Sequence, residues 1–207
     1  MAYQVMKVAK EQKLDIERAL FLNNAAVAGN STTARELAGV PSWLVTNVNS
    51  GSGATEATGD GSDARSAGTL AAFSQTRFDD VMQTVWEAGG KPDKVYLSAY
   101  QMNIALGFTG NNNQRATVQA KGKEVVKAMD FYVTPWGTVE FVPSRENSSQ
   151  HVFIMQSDMW KVGVLRGTKN TALSKTGDST KRQVITELTL EACNELSSGA
   201  VYDCSTS

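Results

Sequence analysis

The chain is poor in the residues that most catalytic and metal sites require. Its 207 residues include one histidine, His151, and two cysteines, Cys193 and Cys204. A single histidine excludes the HExxH zinc motif and any cage built from several histidines. A Ser-His-Asp triad would have to use His151, but no GxSxG turn is present. We therefore expect His151 to be a polar residue at the start of a strand, and the two thiols, which lack CxxC spacing, to be reduced.

Long apolar runs and an excess of charge are also lacking. No run approaches the ~20 apolar residues that a membrane helix needs, and the N-terminus has no apolar segment typical of a secretory signal. The formal net charge is -1, from 20 Lys and Arg against 21 Asp and Glu. This balance does not favour a dedicated nucleic-acid or membrane-surface binder. The length fits one domain, or one domain with a sizeable insertion.

Two long helices are predicted in the first half of the chain. Residues 2–28 contain no Pro or Gly and are rich in strong helix formers, so we expect one helix of about 40 Å that ends at Gly29. A helix of this length would cross a compact domain, which indicates a flat or elongated subunit. Residues 50–68 are rich in glycine and small polar residues and predict a mobile surface excursion. A second amphipathic helix is expected from about Ser74 to the Gly89-Gly90 pair.

The second half of the chain is predicted to be mostly β-structure. A short strand at 95–98 and a short helix at 99–107 come first. Strands are then expected in 125–143 (two strands around the turn PWG), 152–157, 159–167 and 183–193. The order of helix, glycine-rich segment, helix and then strands predicts an α+β fold rather than repeating βαβ units.

The segment LSKTGDSTKRQ, residues 173–183, combines a glycine with hydroxyl and basic side chains and raises the question of a phosphate site. A P-loop requires Gly, four residues and then Gly-Lys-Ser/Thr between a strand and a helix. Gly177 is instead followed by a strand pattern, so no helix N-terminus faces a phosphate there. A tight turn is the favoured interpretation.

Carboxylates and lysines give no stronger sign of a catalytic or nucleic-acid site. Glu187, Glu191 and Glu195 are predicted to share a strand face, but residues four apart on a strand lie ~13 Å from each other. Glycosidase acid/base pairs lie ~5–10 Å apart. The local basic group, formed by Lys121, Lys123 and Lys127, is interpreted as a solvated face.

Several segments, taken in order, resemble one group of tailed-phage major capsid proteins, which is largely podovirus-like and has the Hong Kong 97 fold. The run AYQVMKVAKEQKLDIERALFLNNAAV resembles the long spine helix of these proteins. The run STTARELAGVPSWLVTN resembles the segment that follows their spine helix. Its second helix and following strand resemble VMQTVWEAGGKPDKVYLS. Further matches, in the same order, are FTGN at 108–111, Val142-Pro143 with Arg145, and LSKTGDSTKRQ followed by TLEACNELSSG. The resemblance covers essentially all of residues 2–206.

The resemblance implies a structural capsid subunit with no enzymatic activity, cofactor or metal. Such subunits assemble as hexamers and pentamers into an icosahedral shell around double-stranded DNA. The implied partners are other copies of the chain, portal and scaffold proteins, and packaged DNA bound without sequence specificity; no membrane is implied. The implied location is the virion, after synthesis in the cytoplasm of a bacterial host.

The resemblance also implies a division of the chain into domains. Residues 1–28 would form the spine helix of a peripheral domain, and 30–120 an axial domain containing the glycine-rich loop 50–68. Residues 125–207 would be mostly β and shared between the two domains. Family members usually carry an N-terminal arm and an extended loop before the spine helix, and we expect both to be absent from this chain. The candidate structural or intersubunit residues are Arg35, Trp43, Arg145, Asp178, Lys181 and Arg182.

Two other classes of function stay open. The first is another phage-like assembly protein, such as a nanocompartment shell, a tail protein or a decoration protein. A nanocompartment would enclose protein rather than DNA, so the nucleic-acid content of purified particles separates it from a capsid. The second is a small hydrolase, which would show a concave pocket with converging polar groups.

Overall fold

The computed structural model describes residues 2–108, 131–175, 177–178 and 180–206. Within these ranges the chain forms three α-helices and eight β-strands, which confirms the α+β class. The helices are α1 (Ala2–Phe21), α2 (Gln75–Glu87) and α3 (Ala99–Ala105). The strands are β1 (Val48–Asn49), β2 (Lys94–Leu97), β3 (Phe131–Thr134), β4 (Gly137–Pro143), β5 (Val152–Met155), β6 (Trp160–Ala172), β7 (Arg182–Ala192) and β8 (Gly199–Val201).

The strands form two separate sheets. Six of them make a mixed sheet in the order β1-β8-β5-β2-β4-β3. In that sheet β2 pairs parallel with β4 and antiparallel with β5, while β8 pairs parallel with β1. Among the described strands, β6 and β7 pair only with each other, as an antiparallel ribbon. We call β6, β7 and the turn between them the ribbon.

The six-stranded sheet is covered on both faces, as its central strand β5 shows. All four residues of β5 are buried. Val152 and Ile154 belong to a cluster with the buried side chains of α2, whereas Phe153 and Met155 belong to a second cluster that includes Phe21. Because alternate residues of a strand point to opposite faces, a strand buried on both faces is apolar throughout.

Helix α2 supplies the centre of the first cluster. Phe78, Val81, Met82 and Val85 recur at helical spacing and are all buried. The ring of Phe78 lies among other aromatic rings, at centroid distances of 5.6 Å from Tyr132 and 5.7 Å from Phe141. The helix begins as predicted, because the Ser74 side chain accepts a hydrogen bond from the backbone N–H of Arg77. It is followed by Gly89 at φ 86°, the conformation that commonly ends a helix.

The prediction that the first helix extends to residue 28 is wrong, because α1 ends at Phe21. Long-range contacts replace the helical hydrogen bonds after that residue. The Asn24 carbonyl accepts hydrogen bonds from the backbone N–H of Gly39 and the side chain of Ser42. Val27 pairs with Glu36 in a short bridge, and Gly29 lies in the turn between them at φ 75°. Gly29 therefore serves a turn and not a helix end.

The segment 50–68, predicted to be a mobile surface excursion, is exposed at about half of its residues but is tied into the fold by specific contacts. Thr55 and Ser66 pair in an antiparallel bridge, and Ala57 and Arg65 are buried. A Cβ atom at Gly68 would lie 2.4 Å from the carbonyl oxygen of Gly51, so the two ends of the segment approach too closely for a side chain. Glycine here permits close packing, a use that composition does not distinguish from flexibility.

Several predicted strands are confirmed, but the predicted strand face shared by three glutamates is not. The antiparallel strands β3 and β4 flank the predicted turn, and β6 extends further than expected, to Ala172. Strand β7 ends at Ala192, and Glu195 begins a 3-10 helix, so Glu195 does not share a strand face with Glu187 and Glu191. Residues 109–130 lie outside the described residues. They include the lysines at 121, 123 and 127, the first part of the predicted 125–134 strand and most of the FTGN match.

Candidate functional site

The described part of the chain has one buried network of charged groups. The Arg65 guanidinium donates to both carboxylate oxygens of Asp203, with Nη1–Oδ1 at 3.1 Å and Nη2–Oδ2 at 2.8 Å. Its Nε also donates to Glu56 Oε2 at 3.1 Å. The exposed fraction of the Arg65 and Asp203 side chains is 1% and 0%. We call Glu56, Arg65 and Asp203 the buried network.

The buried network fastens the 50–68 segment to the C-terminal end of the chain. Asp203 Oδ2 also accepts from the backbone N–H of Gly51 at 3.0 Å, and the Ser50 hydroxyl donates to Glu56. Burial alone would raise the pKa of Asp203, but the hydrogen bonds from Arg65 and from the Gly51 and Gly68 backbones hold it below its usual value. The carboxylate is therefore ionised inside the protein because its partners replace water.

Two aromatic side chains enclose the network on one side. The Arg65 guanidinium carbon lies 4.2 Å from the ring centroid of Tyr202, a cation–π distance. The His151 ring lies 5.2 Å from that of Tyr202 in an edge-to-face arrangement, and its Nδ1 has no hydrogen-bond partner. Burial, and then the nearby Arg65 charge, lower the pKa of His151 to about 4, with Asp203 opposing the shift. His151 directly precedes β5, as expected, and is neutral near pH 7.

A second arginine ties α2 to the same end of the chain. Arg77 Nη2 donates to the backbone carbonyls of Asn49 at 2.9 Å and Tyr202 at 2.7 Å, and its Nε donates to the Asn49 side chain at 2.7 Å. Strand β1, strand β8 and α2 are thus held together by one guanidinium. Its hydrogen bonds satisfy backbone groups at the ends of two short parallel strands.

The ribbon is the most exposed element of the described chain. Every residue of β6 except Trp160 and Gly163 is exposed, and Val164 and Leu165 are 58% and 74% exposed. The base of the ribbon is anchored, because Trp160 Nε1 donates to Ser198 Oγ at 2.9 Å. At about 3.3 Å per residue, 13 residues of β6 reach about 40 Å from that base. An isolated two-stranded ribbon is only marginally stable in water, so this one requires further contacts.

Helix α1 lies along the ribbon, and a groove is lined by α1, the ribbon and residues of the segment 27–37. The groove has a volume of about 920 Å³. Its lining includes Ile16 and Ala19 of α1, Val164 and Leu165 of β6, and Leu188 of β7. The opposite side of the helix is not covered either, since Tyr3 and Met6 are 75% and 61% exposed. Exposed apolar surface of this extent is typical of an interaction surface.

The six candidate residues do not form one site. Arg35 is exposed and lines the groove, whereas Arg145 is exposed beyond the end of β4. Trp43 is half-buried, and a Cβ atom at Gly61 would lie 2.9 Å from its ring. Asp178, Lys181 and Arg182 lie together at the exposed end of the ribbon, around Gly177 at φ 86°. None of the six forms an ion pair with another described residue.

The buried network was missed by the sequence analysis, although one indication was present. Arg65 is the one basic residue in the glycine-rich segment 50–68, which also contains three acidic residues. Nothing local indicates that Asp203 is its partner, because the two are 138 positions apart. In the described residues no group of three or more His, Cys, Asp or Glu side chains is arranged to hold a metal ion. No described helix is both long and apolar enough to cross a membrane.

Comparison with known proteins identifies the family. The family model described as SU10 major capsid protein matches residues 1–205. The chain is also 22% identical over 236 aligned positions to a protein named major capsid protein from Escherichia phage Phieco32. That alignment covers 98% of this chain and 67% of the relative. The family match extends from α1 through the ribbon to the last described strand, so this chain belongs to the SU10 major capsid protein family.

Proposed function

We propose that this chain is the repeating subunit of a phage capsid, with the Hong Kong 97 fold, and that it assembles as hexamers and pentamers into an icosahedral shell. The match of the family model to residues 1–205 carries the proposal. The shell encloses double-stranded DNA, and portal and scaffold proteins are its further partners. The division into a peripheral domain with α1 and an axial domain belongs to the same proposal.

The mechanism of such a subunit is geometric. Each copy buries moderate surfaces against several neighbours, and contacts between different surfaces of identical copies close into rings. The ribbon and α1 supply surface of the required kind, because both expose apolar side chains along their length. A net charge of -1 allows like subunits to pack side by side with little mutual repulsion.

The candidate residues take two roles in this proposal. Trp43 is structural, because its ring packs against Gly61 and holds the 50–68 segment. Arg35, Arg145, Asp178, Lys181 and Arg182 are exposed charged residues available to a neighbouring copy. Asp178, Lys181 and Arg182 belong to the LSKTGDSTKRQ turn, so the proposal gives that turn a role in assembly and not in phosphate binding.

The test is assembly of the purified protein. Light scattering and negative-stain microscopy are expected to show rings or shells at high concentration, with and without a crowding agent. The same measurement on a chain extended upstream tests whether further N-terminal sequence is required. A strict monomer under all these conditions would contradict the proposal. Nucleic acid in particles purified from cells distinguishes a capsid from a protein-filled compartment.

A further inference from the structure

The end of the ribbon farthest from its base carries concentrated positive charge. Between residues 169 and 182 there are four cations, Lys169, Lys175, Lys181 and Arg182, and one carboxylate, Asp178, which gives a net charge of +3. All five side chains are exposed, and none is in an ion pair with another described residue. Leu173, in the same part of the ribbon, is 43% exposed. We call residues 169–182 the ribbon end.

The outward side of α2 carries negative charge, opposite in sign to the ribbon end. It carries two exposed carboxylates, Asp80 and Glu87, with the half-buried Asp79 beside them. The helix's one cation, Arg77, is turned inward to Asn49 and Tyr202. The exposed carboxylates give the outward side a net charge of -2. The C-terminal carbonyls of the helix add partial negative charge beside Glu87.

Trp86 lies on the same side of α2 and is 55% exposed, although tryptophan is usually largely buried. An exposed tryptophan within an acidic rim binds cationic and apolar side chains well, since its ring attracts cations and supplies a large contact area. We call Asp79, Asp80, Gln83, Trp86 and Glu87 the α2 face.

The ribbon end and the α2 face do not meet within one chain. A Cβ atom at Gly90, just after α2, would lie 2.8 Å from Ser197, and the neighbouring Ser198 binds Trp160 at the ribbon base. The C-terminal end of α2 is therefore close to the ribbon base. The ribbon end lies about 40 Å further along β6. A contact between the two surfaces requires two molecules.

We propose that the ribbon end of one copy docks on the α2 face of a second copy. Lys175 and Lys181 pair with Asp80 and Glu87, and Leu173 packs against Trp86. The contact joins two different surfaces, so it repeats from copy to copy and closes a ring when the rotation allows. This inference rests on the proposed function, which supplies many identical copies, and it identifies the surfaces that join them.

Charge reversal tests the contact in the full chain. Lys175→Glu with Lys181→Glu is expected to raise the concentration needed for assembly roughly tenfold or more, as is Asp80→Lys with Glu87→Lys. Sedimentation velocity and negative-stain microscopy measure assembly, and a circular dichroism melt shows that each variant is folded. The ribbon variant makes the net charge more negative by four and the α2 variant makes it more positive by four, so weaker assembly of both variants cannot be an effect of net charge alone.

Restored assembly in a combined variant tests the contact more specifically than the loss of assembly in either double variant. The variant with all four reversals is expected to assemble like the unaltered chain, because both surfaces have changed sign. A mixture of the two double variants is expected to form even-numbered rings in which they alternate. Assembly of both double variants at the wild-type concentration would overturn the inference and leave the proposed function intact. Loss of duplex DNA binding in the ribbon variant, with assembly unchanged, would show the ribbon end to be a DNA contact instead.

Cross-linking gives an answer even if shells do not form. In a Cys193→Ser background, Gln83→Cys with Asp178→Cys is expected to give a ladder of disulfide-linked oligomers on oxidation at high concentration. The control pair Gln83→Cys with Ser62→Cys, an exposed position outside α1 and the ribbon, is expected to give little. A ladder without shells would support the contact and count against the proposed shell. Equal ladders from both pairs would overturn the contact.

Discussion

Arg65 and Asp203 form a two-pronged ion pair across 138 positions of sequence, with both side chains removed from solvent. The pair joins the segment 50–68 to the residue that follows β8 and Tyr202. Asp203 is also the one described non-glycine residue with a positive φ, at 54°. An unusual backbone conformation is thus held by a buried charge pair, and the two depend on each other.

Removing the negative charge of Asp203 is expected to destabilise the fold. Asp203→Asn keeps the shape and tolerates a positive φ, but it leaves Arg65 buried with only Glu56 as a charged partner. The expected loss is about 3–5 kcal/mol in the free energy of unfolding, measured by urea denaturation. Asp203→Ala is expected to lose about 1 kcal/mol more, because alanine is less tolerant of this backbone conformation.

Asp178→Asn is the control for Asp203→Asn, since Asp178 is exposed at the ribbon end. Its free energy of unfolding is expected to change by less than about 0.5 kcal/mol. Equal urea midpoints for Asp203→Asn and the unaltered chain would mean that the pair contributes nothing to stability.

Acidification is expected to destabilise the protein through His151. The pKa of His151 is about 4 in the folded protein and 6.5 ordinarily, so the unfolded chain binds this proton first as the pH falls. The stability contributed by neutral His151 is complete above pH 6.5 and is lost as the pH falls towards 4. The gap between the two pKa values corresponds to roughly 3 kcal/mol.

His151→Phe provides the comparison for this pH effect, because phenylalanine keeps the edge-to-face contact with Tyr202 and cannot be protonated. Its stability between pH 6.5 and 4.5 is expected to fall less steeply than that of the unaltered chain in urea titrations. Asp203 contributes little to the change in stability between pH 6.5 and 4.5, because its pKa is lowered from 3.8 in the folded protein and both values lie below this range. Parallel curves for the two proteins would assign the acid sensitivity to other groups.

A side chain at Gly199 is expected to separate α2 from the sheet. A Cβ atom there would lie 2.5 Å from the Asn47 carbonyl oxygen and 2.6 Å from Val81 Cγ1. Gly199→Ala is therefore expected to cost about 3 kcal/mol or more, seen as a lower thermal midpoint. Gly167→Ala, on the ribbon, meets nothing within 4 Å and is expected to change stability by less than about 0.5 kcal/mol. Similar midpoints for both variants would contradict the close packing.

Glu195 is expected to stabilise the turn after the 3-10 helix Val40–Ser42. Its Oε1 accepts from the backbone N–H groups of Val45 at 2.9 Å and Thr46 at 2.6 Å. Glu195→Ala leaves both donors without this partner and is expected to cost about 2 kcal/mol, with Glu195→Gln costing about half as much. Glu191→Ala, an exposed carboxylate on β7, is the control. A smaller loss for Glu195→Ala than for Glu191→Ala in urea denaturation would refute this role.

Much of the local structure followed from sequence because its causes are local. The Ser74 cap, the apolar spacing of α2 and the glycine pair after it fix that helix within a few residues of its position. The resemblance to phage capsid proteins rested on several short segments in one order, and the family match over residues 1–205 confirms a phage major capsid protein. The assignments to domains and to intersubunit contacts stay predictions.

Tertiary contacts determine where α1 ends and how residues 50–68 pack, and local sequence patterns do not predict either. The sequence by itself determined an α+β chain with few catalytic residues, since composition and periodicity depend only on neighbours along the chain. The end of α1 at Phe21 and the ordering of residues 50–68 depend on partners far away in sequence, such as Gly39 for Asn24 and Asp203 for Arg65. A glycine-rich segment is flexible or closely packed according to whether such partners are present, and only the folded structure supplies them.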